Sequence, residues 1–222
     1  MTLRVIIEVS IILSQSHTFQ LVAGHVALDF ANTLDNRYNP ERRVDLLPAY
    51  GQFVAFAAQN GLVNSAQARA LLAATTERQA MLALDRAIRL REALYHLFRA
   101  AISGERPSSE AIETLNASLS EARSRKQLFW DRKQFAWRYR DFSDQPASPL
   151  WPIAEAAAEL LSSPDLARVR ECSNPGCRWL FLDQSKNHSR RWCDMSVCGN
   201  RAKARRFHAR ERGVFANGVA DG

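Results

Sequence analysis

"ECSNPGCRWLFLDQSKNHSRRWCDMSVCGNRAKARRFHAR", residues 171–210, holds all four cysteines of a 222-residue chain. They fall as Cys172-x4-Cys177-x15-Cys193-x4-Cys198, two close pairs separated by a hairpin-sized gap. A four-cysteine tetrahedral site needs thiolates that converge on one ion at about 2.3 Å each, and two knuckles joined by a short loop supply that convergence. Asn174-Pro175-Gly176 reads as the tight turn of the first knuckle, and "RWLFLDQS" (178–185) alternates as a strand does. The second pair runs straight into "GNRAKARRFHARER" (199–212), a helical stretch. Its cysteines therefore sit at a helix N-terminus near arginines, where the thiolate is favoured. The expectation is one structural zinc per chain on Cys172, Cys177, Cys193 and Cys198, in a treble-clef or ribbon-like finger. Disulfides are disfavoured because the sequence shows no secretory signal. The two x4 spacings with basic flanks do not match ferredoxin runs. Four thiolates leave no open coordination position, so a catalytic zinc is not expected. His188 then reads as a surface or phosphate-contacting residue.

Charge follows the cysteines. The formal net charge is +7, and the stretch between Cys172 and Gly213 alone nets +7, with ten Lys or Arg against three acids. The remainder balances at 20 basic and 20 acidic residues. A basic appendage on a neutral body is the electrostatic footprint of nucleic-acid contact. Projection of 201–212 at 100° per residue separates two strips: Arg201, Arg205, His208 and Arg212 on one side, Lys203, Arg206 and Arg210 on the other. One groove cannot be read by opposite faces, so one strip is expected at phosphates or base edges and the other at flanking phosphates or the body. Arg190 and Arg191, just before Cys193, extend the candidate phosphate-facing edge. Arg201 has an alternative role, hydrogen bonding to backbone around the zinc knuckle. Trp179, Phe181, Trp192 and Phe207 are expected to form the minicore over the zinc. Charge does not choose between DNA and RNA, although a basic helix suits the major groove of B-DNA better than the narrow groove of RNA.

The rest of the chain reads as an α+β fold, mainly helical with a small antiparallel β element. Hydrophobic content of 46% and charged content of 24% are those of an ordinary globular protein. Residues 19–22 read as a short strand. "HVALDFANTL" (25–34) fits a helical face and an alternating strand equally. Two helices follow in 46–61 and 65–77. The longest helical signal covers 77–103 and stops at Gly104, with a stripe at 81, 84, 88, 91, 95, 98 and 102. Arg91 breaks that apolar stripe. It forms an internal ion pair, with Asp29, Asp35 or Glu92 as candidates, or lines an effector pocket with Asp29 and Asn32, or is exposed through a local irregularity of the helix. A helix follows Pro107, the aromatic segment 126–142 reads as a β-hairpin turning at "DRKQ", and a further helix begins near Leu150. These features suggest a body over 19–163, a finger over 168–212 and a disordered tail over 213–222. The stretch "MTLRVIIEVSIILSQS" is interrupted by Glu8 and falls short of the roughly 20 residues that span a bilayer. It reads as an extra strand or short helix, or as an overcalled start, with a cytoplasmic location expected.

With "CGNR" at 198–201 behind this cysteine pattern, the finger resembles the CGNR zinc finger. "GHVALDFANTL" and "LREALYHLFRAAISG" (90–104) are similar to the ABATE domain that accompanies that finger in bacterial proteins. The resemblance implies a stress-induced transcription regulator with a DNA-binding finger, which makes duplex DNA the expected partner; the body is read here as a domain that senses an effector or forms a homodimer. No nucleophile elbow, Gly-rich phosphate loop or H-E-x-x-H occurs, so neither catalytic residues nor an enzyme is expected. An RNA-binding or protein-interaction module with a purely structural zinc is the alternative. No membrane partner is expected.

Overall fold

The computed structural model describes residues 18–217, and the ambiguous segment after Gly24 is a helix, α1 (Val26–Ala31), capped by His25 Nδ1, which accepts from Ala27 N. Ala27, Leu28, Asp29, Phe30 and Ala31 are all buried, which is why no one-sided periodicity marks the helix in the sequence. The expected strand over 19–22 does not form. Instead the Gln59 side chain holds Phe19, accepting from its N–H at 2.9 Å and donating to its carbonyl at 2.7 Å. The expectations for the N-terminal stretch lie outside the described residues, apart from its junction at residue 18.

After α1 a two-residue ladder pairs β1 (Leu34–Asp35) with β2 (Val44–Asp45). Helices α2 (Tyr50–Gln59) and α3 (Ser65–Ala74) follow, the latter opened by a capping box of Asn64 and Gln67. Helix α4 (Glu77–Ser103) spans the full predicted range, opened by a second capping box of Thr76 and Gln79 and closed by Gly104 in the left-handed conformation at φ 72°. The predicted stripe is correct only at its centre. Arg91, Tyr95 and Phe98 are buried, whereas Met81 and Ile102 are 60% and 39% exposed. Core contact shifts to Ala83, Ala87, Leu90, Leu94 and Leu97, small and straight side chains that let neighbouring helices approach.

Helix α5 (Ser109–Arg125) packs on α4 and on α6 (Leu150–Ser162). Between α5 and α6 stands the hairpin of β3 (Lys126–Asp131) and β4 (Gln134–Tyr139), turning through Arg132 and Lys133, both at positive φ. A 3₁₀ turn (Pro164–Arg168) leads into β5 (Val169–Glu171), antiparallel to β6 (Leu180–Leu182). A π-turn (Met195–Gly199) then opens α7 (Asn200–Asn217). The helix continues past Gly213, so the tail expected from that position does not begin there, and residues 218–222 lie outside the described residues. The fold is thus mostly helical with small antiparallel ladders. One buried cluster runs from Phe19 through α1, α2, α4 and α6 to Leu180, Phe181 and the four cysteines.

Candidate metal centre and nucleic-acid interface

Cys172 follows β5 directly, and its N–H donates to the Trp179 carbonyl at 2.8 Å. The turn at Asn174-Pro175-Gly176 returns the chain so that Cys177 N–H donates to the Asn174 carbonyl at 2.9 Å. On the second knuckle, Asp194 Oδ1 accepts from Ser196 N and Val197 N, which caps the π-turn and places Cys198 at the head of α7. All four cysteines are buried and free, with their sulfurs within 4.8 Å of one another. Cys177 and Cys193 Sγ stand 3.5 Å apart, and Cys193 and Cys198 Sγ 3.8 Å. A tetrahedron of sulfurs about 2.3 Å from one ion has edges of about 3.8 Å, so the cluster fits a zinc ion without rearrangement. Hydrogen bonds from the Cys172, Cys177 and Cys193 thiols, and then from Asn174 Nδ2 at 3.4 Å, hold Cys198 well below the ordinary thiol range. The same hydrogen bonding lowers Cys172 to about 7 and raises Cys177 and Cys193, so protons are shared across the cluster until a metal displaces them. A zinc ion here would tie the two knuckles together; the site's chemistry is structural.

The finger is built into the body. Asn32, which ends α1, has its side chain bonded to the backbone of Leu180 in β6. Nδ2 donates to the Leu180 carbonyl and Oδ1 accepts from the Leu180 N–H, both at 2.8 Å. Leu182 N–H donates to the Ala23 carbonyl at 2.8 Å. On the other side, Tyr95 Oη of α4 reaches Glu171 Oε1 at 3.1 Å, and Glu171 also accepts from Arg178 at 2.8 Å. Nothing in the periodicity of the sequence marks Asn32, Tyr95 and Glu171 as a junction, because the three converge only through long-range packing.

Arg91 is 2% exposed, and its carboxylate partner across the fold is Asp45, not Asp29 or Asp35. Nη1 and Nη2 grip Asp45 at 2.7 and 3.0 Å, while Nε bonds the neighbouring Glu92 at 2.9 Å. Asp29 faces away, accepting from Ala23 N–H at 3.0 Å. Burial pushes its carboxyl up to about 6, against the lowering effect of the Ala23 and Val22 amides. The three residues named as an effector site thus each have separate partners: Asp29 holds the entry to α1, Asn32 the finger, and Arg91 the β1–β2 ladder.

The basic residues divide sharply. Arg190 is committed to the fold: Nε donates to Trp192 O at 2.9 Å, Nη2 to Val22 O at 3.1 Å and to Cys193 O, and the guanidinium lies 4.5 Å from the Phe181 ring centre. Arg191 is exposed beside Trp192. Arg201, Lys203, Arg205, Arg206 and Arg210 are all exposed, and among the described side chains of α7 only Ala202 is buried. Arg201 has no hydrogen bond or ion pair among the described residues, and it lines a cavity of about 150 Å³ with Asp35 and Asp194. Arg212 lies in α7, beyond the described side chains. Trp179 and Phe181 form the minicore with partly buried Trp192, but Phe207 is 60% exposed and does not join it. Phe207 instead meets the ring of its neighbour His208 edge on, 5.7 Å between centres.

A helical body clasping a treble-clef-like four-cysteine centre defines a zinc-finger protein with a large companion domain. The chain belongs to the ABATE family: residues 24–164 match the family described as "Putative stress-induced transcription regulator", and residues 168–211 match the CGNR zinc finger. No curated protein matches the chain. No helix among the described residues is long and apolar enough to cross a membrane.

Proposed function

We propose that the protein is a cytoplasmic, non-enzymatic DNA-binding transcription regulator of the stress response. In this reading the zinc centre anchors α7 for insertion into duplex DNA, and the ABATE body senses an effector or sets the oligomeric state. The observation that carries the proposal is the state of α7. It carries five exposed Lys or Arg among residues 201–210 and no acid in that span. A run of exposed cations with no acid among them repels itself, and a polyanion relieves that repulsion. Ala204 and exposed Phe207, between the two basic strips, are available for thymine methyl groups.

The test is duplex binding against salt. With Arg190 engaged in the fold, the exposed candidates among the described side chains are Arg191 and the five cations of α7 between 201 and 210. Four to six phosphate contacts give a log–log slope of about −3.6 to −5.4. Arg205→Ala should reduce that slope by about 1 if Arg205 contacts a phosphate. A salt-independent response would refute nucleic-acid binding. Tighter binding of single-stranded RNA than of any selected duplex would favour the RNA-binding alternative.

A further inference from the structure

The β3–β4 hairpin carries an apolar surface that the proposed function leaves unused. Directly opposed residues of an antiparallel ladder share a face, and the face alternates along each strand. The pairs Lys126↔Tyr139, Leu128↔Trp137 and Trp130↔Phe135 therefore lie on one side. At the base of the hairpin this side is core: the Tyr139 ring lies 5.4 Å from the Trp151 ring, and its hydroxyl donates to Glu155. Further out the same face loses its cover. Leu128 is 51% exposed, Trp137 64%, Trp130 66% and Phe135 68%.

We propose that this hairpin is a dimerisation arm whose occupant is the hairpin of a second copy of this chain, laid face to face and antiparallel. Area supports it. Three aromatics about two-thirds exposed leave roughly 100–160 Å² each, so with Leu128 the bare strip is on the order of 500 Å². That is as large as the principal patch of a typical monomer. Two strips in register remove about 1,000 Å² in total, the lower bound for a specific interface. Charge sets the direction. The turn carries Arg132 and Lys133, both exposed and without ion pairs among the described residues. The groove at the base holds Glu155 and Glu159 beside Arg123 and Lys126, so its charges balance. Tip-to-tip stacking would bring four cations together, whereas antiparallel stacking sets each tip over the partner's charge-balanced base, within reach of Glu159.

Nucleic acid fits this surface less well. The Trp130 and Phe135 rings already meet edge to face at 4.9 Å, which leaves less open ring face for a base. Lys126, Arg138 and Arg140 are paired with Glu155, Asp131 and Asp141, which leaves only the two tip cations.

The test is the mass of the full-length, zinc-loaded protein by sedimentation across a micromolar dilution series without nucleic acid, so that its outcome is independent of DNA binding. The wild type should be a dimer, with tryptophan emission shifting to the blue as it associates. Trp130→Lys with Phe135→Lys should raise the dimer Kd by at least about a hundredfold, as expected for two central aromatics, with unchanged circular dichroism and melting of the monomer. Arg132→Glu with Lys133→Glu should weaken the dimer too, and adding Glu159→Lys should restore it. A monomeric wild type, or a dimer untouched by the aromatic pair, would overturn the proposal. A monomer whose affinity for single-stranded oligonucleotide drops in the Trp130/Phe135 variant would overturn it in favour of nucleic acid. A failed charge rescue would refute the antiparallel register.

Discussion

Replacing Asn32 by Ala tests whether the finger is clasped to the body or merely tethered to it. Asn32 is 3% exposed and bonds both the N–H and the carbonyl of Leu180 at 2.8 Å, across 148 residues of sequence. Leu180 is itself fully buried, so the substitution admits no obvious water to either group. A buried donor or acceptor left unsatisfied costs about 1–3 kcal/mol. With partial relaxation we expect a loss of about 3 kcal/mol by urea unfolding at constant zinc. Hydrogen exchange should report the same change locally, with the amide of Leu180 losing protection before those of α4. Asn32→Asp adds a signed control. The carboxylate keeps the acceptor for the Leu180 N–H but faces the Leu180 carbonyl with no proton to donate. This variant should be about as unstable as Asn32→Ala at pH 7 and recover as acid supplies that proton. Loss below about 0.5 kcal/mol in Asn32→Ala, with Leu180 protection intact, would refute the clasp.

Four further outcomes follow from the same geometry. Cys198→Ser or chelation of zinc should lower the melting of the whole chain in one transition, because β6 and the cysteines share the core of the body; a separate early finger transition with an unchanged main melt would contradict this. Elemental analysis should give one zinc per chain, with affinity falling as pH falls because the ligands bind as thiolates. Arg91→Ala should cost about 3–5 kcal/mol in chemical denaturation, nearer the lower figure because the Asp45 side chain is 36% exposed and keeps some solvation. An unchanged melt would show that the bidentate pair contributes nothing. The pH profile has two signed components. Asp29, raised from 3.8 to about 6 by burial, makes the fold more stable as pH falls through about 6. Asp45, where burial is outweighed by the Arg91 and Leu47 bonds that lower it, contributes stability above 3.8 that is lost as pH falls further. Melting temperature should therefore peak between about pH 4 and 6, and Asp29→Asn should flatten the alkaline side.

The zinc ligands, most helices, the hairpin and the basic character of α7 could be read from sequence because each depends on local spacing. Four thiols at x4-x15-x4 can hardly avoid converging. Gly104 ends α4 because the left-handed cap favours glycine, and Asp131-Arg132-Lys133-Gln134 turns a ladder whose flanks alternate. The same spacing could not say whether 25–34 is helix or strand. Burial on every side erased the periodicity of α1, and only packing against α6, α4 and β6 decides it.

Partnership was decided by the tertiary structure alone. An isolated Arg in an apolar stripe demands a carboxylate, yet Asp45 sits 46 residues away on a two-residue strand without a strong sequence signal. Asn32 and Arg190 have the composition of a ligand pocket and a phosphate clamp, but both are consumed by backbone groups that come near only when the chain is folded. Phe207 reads as core because so small a module has few other large apolar residues to bury, yet it is 60% exposed. Local chemistry specifies what a residue can bond, and which of those bonds form depends on distances that only the closed fold fixes.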